Sequence, residues 1–158
     1  MPSWTVHESP IGPLTLRGDG GVLTAIHFPG RIGRLGDATR DPDAFAEPLR
    51  QLDEYFGGER REFGLEVSLD GTEFERAVWR ELLMIPYGET RTYGALARAV
   101  GQPEEARAVG TAVGRTPVPI VVPCHRVVGS DGSLTGYGGG LERKRALLDL
   151  EAGQLALL

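Results

Sequence analysis

The sequence IVVPCHRVV, residues 120–128, contains the single cysteine of the chain, Cys124. The β-branched run 120–122 predicts a buried strand, and Pro123 predicts a turn after it. A thiolate is a good soft nucleophile, and a neighbouring imidazole, here that of His125, can draw off its proton. Adjacent residues of a strand point to opposite faces, so the two groups can cooperate only across a turn or through a water molecule. Taken alone, the pair is better explained as a buried cysteine that acts as a small hydrophobe beside a satisfied core histidine.

The composition predicts an ordinary globular protein. Hydrophobic residues make up 41% of the 158 residues and charged residues 25%, and no apolar run approaches the roughly 20 residues that cross a bilayer. The first residues show no basic stretch followed by an apolar one, so no signal peptide is predicted. One cysteine and three histidines allow no internal disulfide and are a poor supply of zinc ligands. We therefore expect a cytoplasmic protein with no metal site and no membrane contact.

The net charge of −5 does not by itself indicate a nucleic-acid partner. Residues 1–70 carry 7 basic and 12 acidic side chains, a balance of 7 − 12 = −5. Residues 71–158 carry 10 of each sign, so their balance is 10 − 10 = 0. Any contacts with phosphate must therefore come from the local arrangement of cations and not from the bulk charge.

The N-terminal part, residues 1–68, predicts a small α+β domain in which we find no catalytic motif. Alternating segments at 4–8, 14–17 and 22–28, separated by turns, predict a β-meander. Residues 29–40 predict a loop, and Asp43 is placed to cap a helix over 44–56. A further strand is predicted over 62–69.

The C-terminal part, residues 69–158, predicts a mostly helical domain. Thr72 and Glu75 form the pattern of a capping box before a first helix. Short helices over 92–100 and 104–113, joined by a tight turn, have the outline of a helix-turn-helix. A short strand over 134–137 would form a wing, and residues 141–151 a closing helix.

The segment PCHRV, residues 123–127, resembles the active-site signature of the O6-alkylguanine-DNA alkyltransferases. The resemblance covers residues 71–151, whereas the first 65 or so residues are similar to the family only in layout. It implies an α+β protein with a ribonuclease-H-like N-terminal α/β domain and a C-terminal helical winged helix-turn-helix domain. The further matches are GTEF at 71–74, VW at 78–79, IPYGET at 85–90, TYG at 92–94, RAVG at 107–110, TGYGGGL at 135–141, and Lys144.

The resemblance implies a reaction without a cofactor or metal. Cys124 would accept the alkyl group of O6-alkylguanine, and O4-alkylthymine is a second candidate substrate. The thiol would be linked through water to His125, and Glu151 would hold and polarise that imidazole, as an acid orients the base of a triad. Without the resemblance, Glu151 would be interpreted as a solvated acid at a helix end.

The resemblance also implies the substrate contacts. Tyr93 would donate a hydrogen bond to the guanine and press on the flanking phosphate as the base leaves the stack. Pro119 and Tyr137 would line the alkyl pocket, and backbone groups of Val127 and Gly138 would bind the base. The residues expected to bind substrate are Tyr93, Pro119, Val127, Tyr137, Gly138 and Lys144.

The third helix of this part would contact the DNA. Arg107 would fill the space left by the flipped nucleotide; the alternative is a surface arginine paired with Glu104. Small residues on this helix would let its backbone approach the minor groove closely, where few donors can read sequence. The residues expected to bind DNA are Thr92, Tyr93, Ala106, Arg107, Ala108 and Gly110. The expected partner is duplex DNA with O6-alkylguanine in any sequence, bound by a monomer.

One departure from the family pattern is the pair Thr116–Pro117, where the family usually has Asn-Pro. The asparagine ties the recognition helix to the reactive segment, so a looser hinge and a changed rate are expected here. Three other functions fit parts of the sequence: a non-turnover lesion-binding protein, a cysteine hydrolase, and a winged-helix regulator with a redox-sensing Cys124. The presence of Cys124 counts against the lesion-binding protein, a measured single turnover would exclude the hydrolase, and binding to duplexes without sequence preference would exclude the regulator.

Overall fold

The protein, for which we analyse a computed structural model, is described over residues 1–33 and 35–153. Its N-terminal half is built on a four-stranded sheet of order β3-β2-β1-β4. The predicted meander is confirmed as the antiparallel strands β1 (Pro2–Ser9), β2 (Gly12–Asp19) and β3 (Val22–His27). The predicted loop after them is interrupted by a short strand, β4 (Thr39–Arg40), which pairs in parallel with β1.

Gly20 and Gly21 form the two-residue turn between β2 and β3. Their φ angles are +60° and +86°, which is the left-handed backbone that a tight hairpin requires and that glycine adopts without strain. The turn fixes the register of β3, whose end leads directly into the cavity described below.

The helix of the N-terminal half begins later than predicted. A 3₁₀ turn spans Pro42–Phe45, and α1 follows at Ala46–Phe56. The prediction that Asp43 caps the helix is wrong, because Asp43 lies inside the turn that Pro42 starts and the cap of α1 has no side-chain hydrogen bond. The buried face of α1 carries Leu52, Tyr55 and Phe56, which packs the helix on the sheet.

The predicted strand over 62–69 is reduced to one bridge between Leu23 and Val67. Two backbone hydrogen bonds of 2.9 Å, from the amide of Leu23 to Glu66 and from that of Ser68 to Leu23, hold it there. Further back, the Gln51 side chain accepts from the Gly64 amide at 2.9 Å and donates to its carbonyl at 3.3 Å. The backbone polar groups of Gly64 are thus satisfied by a side chain and not by a neighbouring strand.

The C-terminal half contains four helices, α2 (Glu73–Leu83), α3 (Tyr93–Ala99), α4 (Ala106–Gly114) and α5 (Leu141–Glu151). The predicted capping box is confirmed, because Thr72 accepts from the Glu75 amide and its own amide donates to the Glu75 carboxylate. Helices α3 and α4 form the helix-turn-helix, although α4 begins two residues after the predicted Glu104.

Two strand predictions in the C-terminal half are wrong. Residues 120–122 form a tight turn, with Ile120 at φ +76° and the Val122 amide bonded to Val118. Residues 134–137 contain no strand; the loop closes through the Gly129 amide and the Ser133 carbonyl, 2.9 Å apart. The strands that do form are β5 (Arg91–Thr92) and β6 (Val127–Val128), which pair in parallel.

The two halves share one hydrophobic core. Trp79 is 2% exposed and donates to the Ala112 carbonyl at 2.8 Å, which ties α2 to α4. Across the halves, the amide of Ile26 in β3 donates to the Pro117 carbonyl at 2.9 Å. No helix among residues 1–33 and 35–153 is long and apolar enough to cross a membrane. The shared core brings the end of β3 against the cysteine-bearing segment.

Candidate active site

Cys124 opens a 3₁₀ turn, Cys124–Arg126, between the tight turn at Ile120 and β6. Its side chain is 4% exposed and lies at a cavity of about 130 Å³. The predicted turn is present, but no direct hydrogen bond joins Cys124 to His125, which leaves the expected link through a water molecule. From the C-terminal half the cavity is lined by Thr116, Pro119, Cys124, Tyr137 and Gly138, and from the N-terminal half by Ile26, His27, Phe28 and Arg31.

The N-terminal wall of this cavity was not expected from the sequence. Phe28 packs edge-on against the Tyr137 ring, with centroids 5.5 Å apart. A Cβ atom at Gly139 would come within 2.9 Å of the Phe28 ring, so only glycine fits there. The loop that carries Tyr137 and Gly138 is therefore seated on the end of β3, and the cavity is a joint product of both halves.

A second, larger cavity of about 420 Å³ lies in the N-terminal half and is lined by Ser3, Asp19 and Phe45 among others. Its described lining residues include no cysteine or histidine. The smaller cavity at Cys124 is therefore the one with a nucleophile.

Burial raises the pKa of the Cys124 thiol to about 11, although the hydroxyl groups of Tyr137 and Thr116 beside it favour the thiolate. The Tyr137 hydroxyl is buried without a hydrogen bond of regular geometry to any described residue. At neutral pH the sulfur therefore carries its proton, and nucleophilic attack requires a group that removes it.

His125 and Glu151 are in direct contact. The His125 ring is fully buried, and its Nε2 lies 2.7 Å from Oε2 of Glu151. Burial lowers the pKa of His125 in spite of this carboxylate, so the ring is neutral at pH 7. A carboxylate only accepts hydrogen bonds, so the ring proton must sit on Nε2. Nδ1, which has no hydrogen bond to any described residue, is then the basic nitrogen.

Glu151 is held by more donors than the sequence suggested. Arg126 donates from Nε to Oε1 at 2.7 Å and from Nη2 to Oε2 at 2.9 Å, and Tyr55 donates to Oε2 at 2.6 Å. Burial by itself would raise the pKa of Glu151, but the bonds from His125 and Arg126 outweigh it and bring the pKa to about 2. Since His125 is neutral, Arg126 is the permanent countercharge of this carboxylate.

Sequence reasoning missed both Arg126 and Tyr55. Arg126 directly follows His125 inside the motif, and this position is the one feature of the sequence that could have identified it as a partner of Glu151. Tyr55 lies 96 residues before Glu151 along the chain, and no spacing rule connects the two.

Tyr93 and Lys144 lie outside the cavity lining and meet at a common acceptor. The Lys144 ammonium donates to the Thr135 carbonyl at 2.9 Å, and the Tyr93 hydroxyl lies 3.4 Å from the same oxygen. The ammonium also lies 5.9 Å from the centre of the Tyr93 ring. Both side chains therefore anchor the loop before Tyr137. Val127, another residue expected to bind substrate, is fully buried in β6 and is not among the lining residues of the cavity.

The helix-turn-helix presents Arg107 to solvent. Its side chain is exposed, and within residues 1–33 and 35–153 its guanidinium has no hydrogen bond or ion pair, so the alternative pairing with Glu104 is not formed. Thr92 caps α3 by accepting from the Ala95 amide at 3.0 Å. A Cβ atom at Gly110 would lie 3.7 Å from the Tyr93 ring, which places α4 close to α3. Ala106 and Ala108 are half-buried on the same helix.

Thr116 lies between α4 and the reactive segment. Its hydroxyl donates to the Val113 carbonyl at 2.7 Å, at the end of α4. Because Val113 lies on α4 and the Thr116 hydroxyl also lies beside the Cys124 thiol, Thr116 connects the recognition helix to the reactive segment at the position where the family usually has asparagine. No group of three or more His, Cys, Asp or Glu side chains in the described part of the chain is placed to hold a metal ion.

A nucleophilic cysteine in a cavity beside a helix-turn-helix defines a class of DNA-binding proteins that carry their own reactive group. Two family models match the chain: the ribonuclease-like domain of 6-O-methylguanine DNA methyltransferase over residues 3–69, and its DNA binding domain over residues 73–153. The chain therefore belongs to the 6-O-methylguanine DNA methyltransferase family, as its resemblance implied.

Individual relatives agree with the family models. The methylated-DNA–protein-cysteine methyltransferase of Mycobacterium leprae is 54% identical over 154 residues, which cover 94% of this chain and 91% of that protein. A protein of the same name from Methanosarcina acetivorans is 46% identical and covers 94% and 97%. The crystal structure of Mycobacterium tuberculosis OGT in complex with DNA matches with a TM-score of 0.94 at 52% identity, over 98% of this chain and 96% of that one. The predicted two-part α+β fold is confirmed by these matches.

Proposed function

We propose that this protein repairs DNA by transferring an alkyl group from O6 of guanine to Sγ of Cys124. The sulfur attacks the alkyl carbon, an S–C bond forms, and the C–O6 bond breaks with its electron pair remaining on the guanine. The thiol proton leaves the sulfur and one proton returns to the base, so the products are a thioether and normal guanine. The observation that carries this proposal is the position of the only cysteine, at the wall of a small cavity that Pro119 and Tyr137 also line.

The proton leaves by way of His125. Nδ1 is the basic nitrogen of a neutral ring, and Glu151 fixes the tautomer by accepting from Nε2. Because no direct hydrogen bond joins Sγ to Nδ1, which has no hydrogen-bond partner among the described residues, a water molecule carries the proton between them. Once His125 is charged, the ionised Glu151 stabilises it, as the acid of a triad stabilises its imidazolium.

The reaction inactivates the protein permanently. A thioether has no easy leaving group, and the 158 residues contain no second cysteine to displace the alkyl group. One molecule therefore removes one lesion. This stoichiometry separates the proposal from a cysteine hydrolase, which would turn over.

The DNA is bound through α4 in the minor groove. A stacked guanine does not expose O6 to a thiolate, so the base must leave the helix. Arg107, exposed and without a partner among residues 1–33 and 35–153, enters the duplex in its place, and the small residues Ala106, Ala108 and Gly110 allow the close approach. Thr92 and Tyr93 sit at the start of α3, where Tyr93 contacts the flanking phosphate and the base.

The extruded guanine is held by backbone groups of Val127 and Gly138, and Lys144 supports the loop next to it through Thr135. We further propose a division of the chain into domains 1–68 and 69–158, action as a monomer, and O4-alkylthymine as a second substrate. A cytoplasmic location follows from the chemistry, because an oxidising compartment would consume the single reactive thiol.

Cys124→Ser tests the acceptor directly. The oxygen of serine is a far weaker nucleophile than a thiolate, so transfer of a labelled methyl group from O6-methylguanine duplex should fall to background. Binding of the same duplex, measured by fluorescence anisotropy, should stay within about twofold, because a buried change of one atom leaves the DNA surface intact. Residual transfer to the variant would refute the assignment of Cys124 as acceptor.

A further inference from the structure

Tyr55 is a residue of the N-terminal half that touches the charged centre of the C-terminal half. It lies on α1, is fully buried, and donates its hydroxyl hydrogen to Oε2 of Glu151 at 2.6 Å. This is the shortest of the four hydrogen bonds that the carboxylate receives.

The Tyr55 ring is fixed by aromatic neighbours. Its centroid lies 5.3 Å from that of Phe56, 5.3 Å from that of Phe63 and 6.3 Å from that of Tyr87. Burial and the charge of Glu151 raise the pKa of Tyr55 well above its usual value, so the hydroxyl stays a donor throughout the physiological range. A rigid, neutral donor of this kind fixes the position of the carboxylate and stabilises part of its negative charge.

Oε2 of Glu151 thus accepts from three groups: the Tyr55 hydroxyl, Nε2 of His125 and Nη2 of Arg126. Resting on the function proposed above, we infer that Tyr55 is a positioning residue for the alkyl transfer, holding Glu151 so that His125 keeps its orientation and stays neutral. The N-terminal half then supplies part of the proton-accepting apparatus as well as one wall of the cavity.

The predicted effect has a definite sign. The Tyr55 hydroxyl disperses part of the negative charge on Oε2, which weakens the pull of Glu151 on a proton at His125. Removing it makes His125 more basic, so more of the ring is protonated at a given pH. The other charged groups that act on His125 are Arg126 and Lys144, both of which oppose its protonation and remain in the variant.

Tyr55→Phe and the matched control Tyr87→Phe form the test. Tyr87 contacts the same aromatic cluster, but its hydroxyl makes only a 3.5 Å contact with the Leu150 carbonyl. For Tyr55→Phe we expect a single-turnover rate on O6-methylguanine duplex about tenfold lower at neutral pH. We also expect the pH at which the rate is half-maximal on the acid side to move upward. Tyr87→Phe should change neither quantity, and an unchanged rate and pH profile for Tyr55→Phe would overturn the inference.

A double-mutant cycle with Glu151→Gln separates positioning from general packing. If Tyr55 acts through the carboxylate, Tyr55→Phe should lower the rate by less than about twofold in the Glu151→Gln background, because the bond it removes no longer bears on a charge. An equal loss in both backgrounds would assign Tyr55 a merely structural role. The proposed function fails separately, if the wild-type protein transfers no methyl group to Cys124, and a wild-type rate for Glu151→Gln would overturn the inference by showing that the carboxylate has no effect on transfer.

A measurement on the wild-type protein covers the case in which Tyr55→Phe does not fold. A buried hydroxyl with a 2.6 Å bond to a carboxylate should give a slowly exchanging downfield proton resonance in NMR. That resonance should shift when Cys124 is methylated. A resonance that is absent, or that does not move on methylation, would contradict the inference.

Discussion

At the reactive centre, the surroundings of individual residues shift their pKa values in different directions. The pKa of Cys124 is raised to about 11, that of His125 is lowered, and that of Glu151 is lowered to about 2. The resting site therefore holds a neutral thiol, a neutral imidazole and a carboxylate paired with Arg126. Pairs of groups whose surroundings push their pKa values apart are the usual mark of an acid and base assignment. Here they imply that the thiolate forms only as the alkyl group is transferred.

The pH dependence of transfer follows from these directions. In the proposed mechanism His125 must be neutral to accept the thiol proton, and its pKa lies below the usual 6.5. The single-turnover rate should therefore be flat from pH 6.5 up to the usual thiol pKa of 9.0, and it should fall in acid as the pH passes through the lowered pKa of His125. Quenched-flow measurement of the transfer rate from a free O6-alkylguanine base gives this pH profile without the pH dependence of DNA binding.

Glu151→Gln is the matched variant for that profile. Loss of the carboxylate removes the attraction that opposes burial, so the pKa of His125 drops further and the acid limb moves to lower pH. A rate that rises toward acid, or an acid limb that the variant leaves in place, would contradict the role of His125.

Among the secondary-structure elements, those with local signals were predicted and those set by distant contacts were not. The capping box of α2 needs only Thr72 and Glu75, so the sequence contains all of it. The turn at Ile120 could not be foreseen, because a β-branched residue with positive φ contradicts its own preference and is imposed by the surrounding segment. The predicted strand at 120–122 failed for this reason.

In the candidate site, His125 and Glu151 were predicted from the sequence, and the contacts from the N-terminal half were not. The motif around Cys124 and the resemblance supplied His125 and Glu151, which the structure brings together. The wall formed by Phe28 and the donor Tyr55 remained hidden, since each acts on residues about a hundred positions away. A motif identifies the group that reacts, whereas the tertiary fold selects the residues that surround it.

The role proposed for helix α4 can be tested at Arg107. Arg107→Ala should lower repair of O6-methylguanine in duplex DNA at least roughly tenfold, because the variant no longer fills the gap left by the flipped base, whose unstacking costs a few kcal/mol. Reaction with a free O6-alkylguanine base should be unchanged. Comparison of the two single-turnover rates measures the effect.

Arg50→Ala is the control for the loss of a positive charge. Arg50 is an exposed arginine of α1, paired with Glu47 and Glu54 in the N-terminal half. It should leave both rates unchanged. Equal losses on duplex and free base for Arg107→Ala would rule out its role as the residue that replaces the flipped nucleotide.

At the scale of the whole molecule, both halves contribute residues to the cavity at Cys124 and to the contacts of Glu151. The segment after β3 supplies Phe28 and α1 supplies Tyr55, while the C-terminal half supplies Cys124, His125, Glu151 and the helix-turn-helix. The acidity of the chain lies in residues 1–70, and the remainder is electrically balanced. Contacts with DNA therefore depend on where cations such as Arg107 are placed and not on the net charge.

Intact mass spectrometry after incubation with excess O6-methylguanine duplex tests the central claim most directly. The protein should gain the mass of one methylene group and no more, peptide mapping should place it on Cys124, and Cys124→Ser should gain nothing. Guanine restored in the DNA should equal the protein present, mole for mole. A protein that stays unmodified while lesions disappear, or a methyl group found on another residue, would contradict the account.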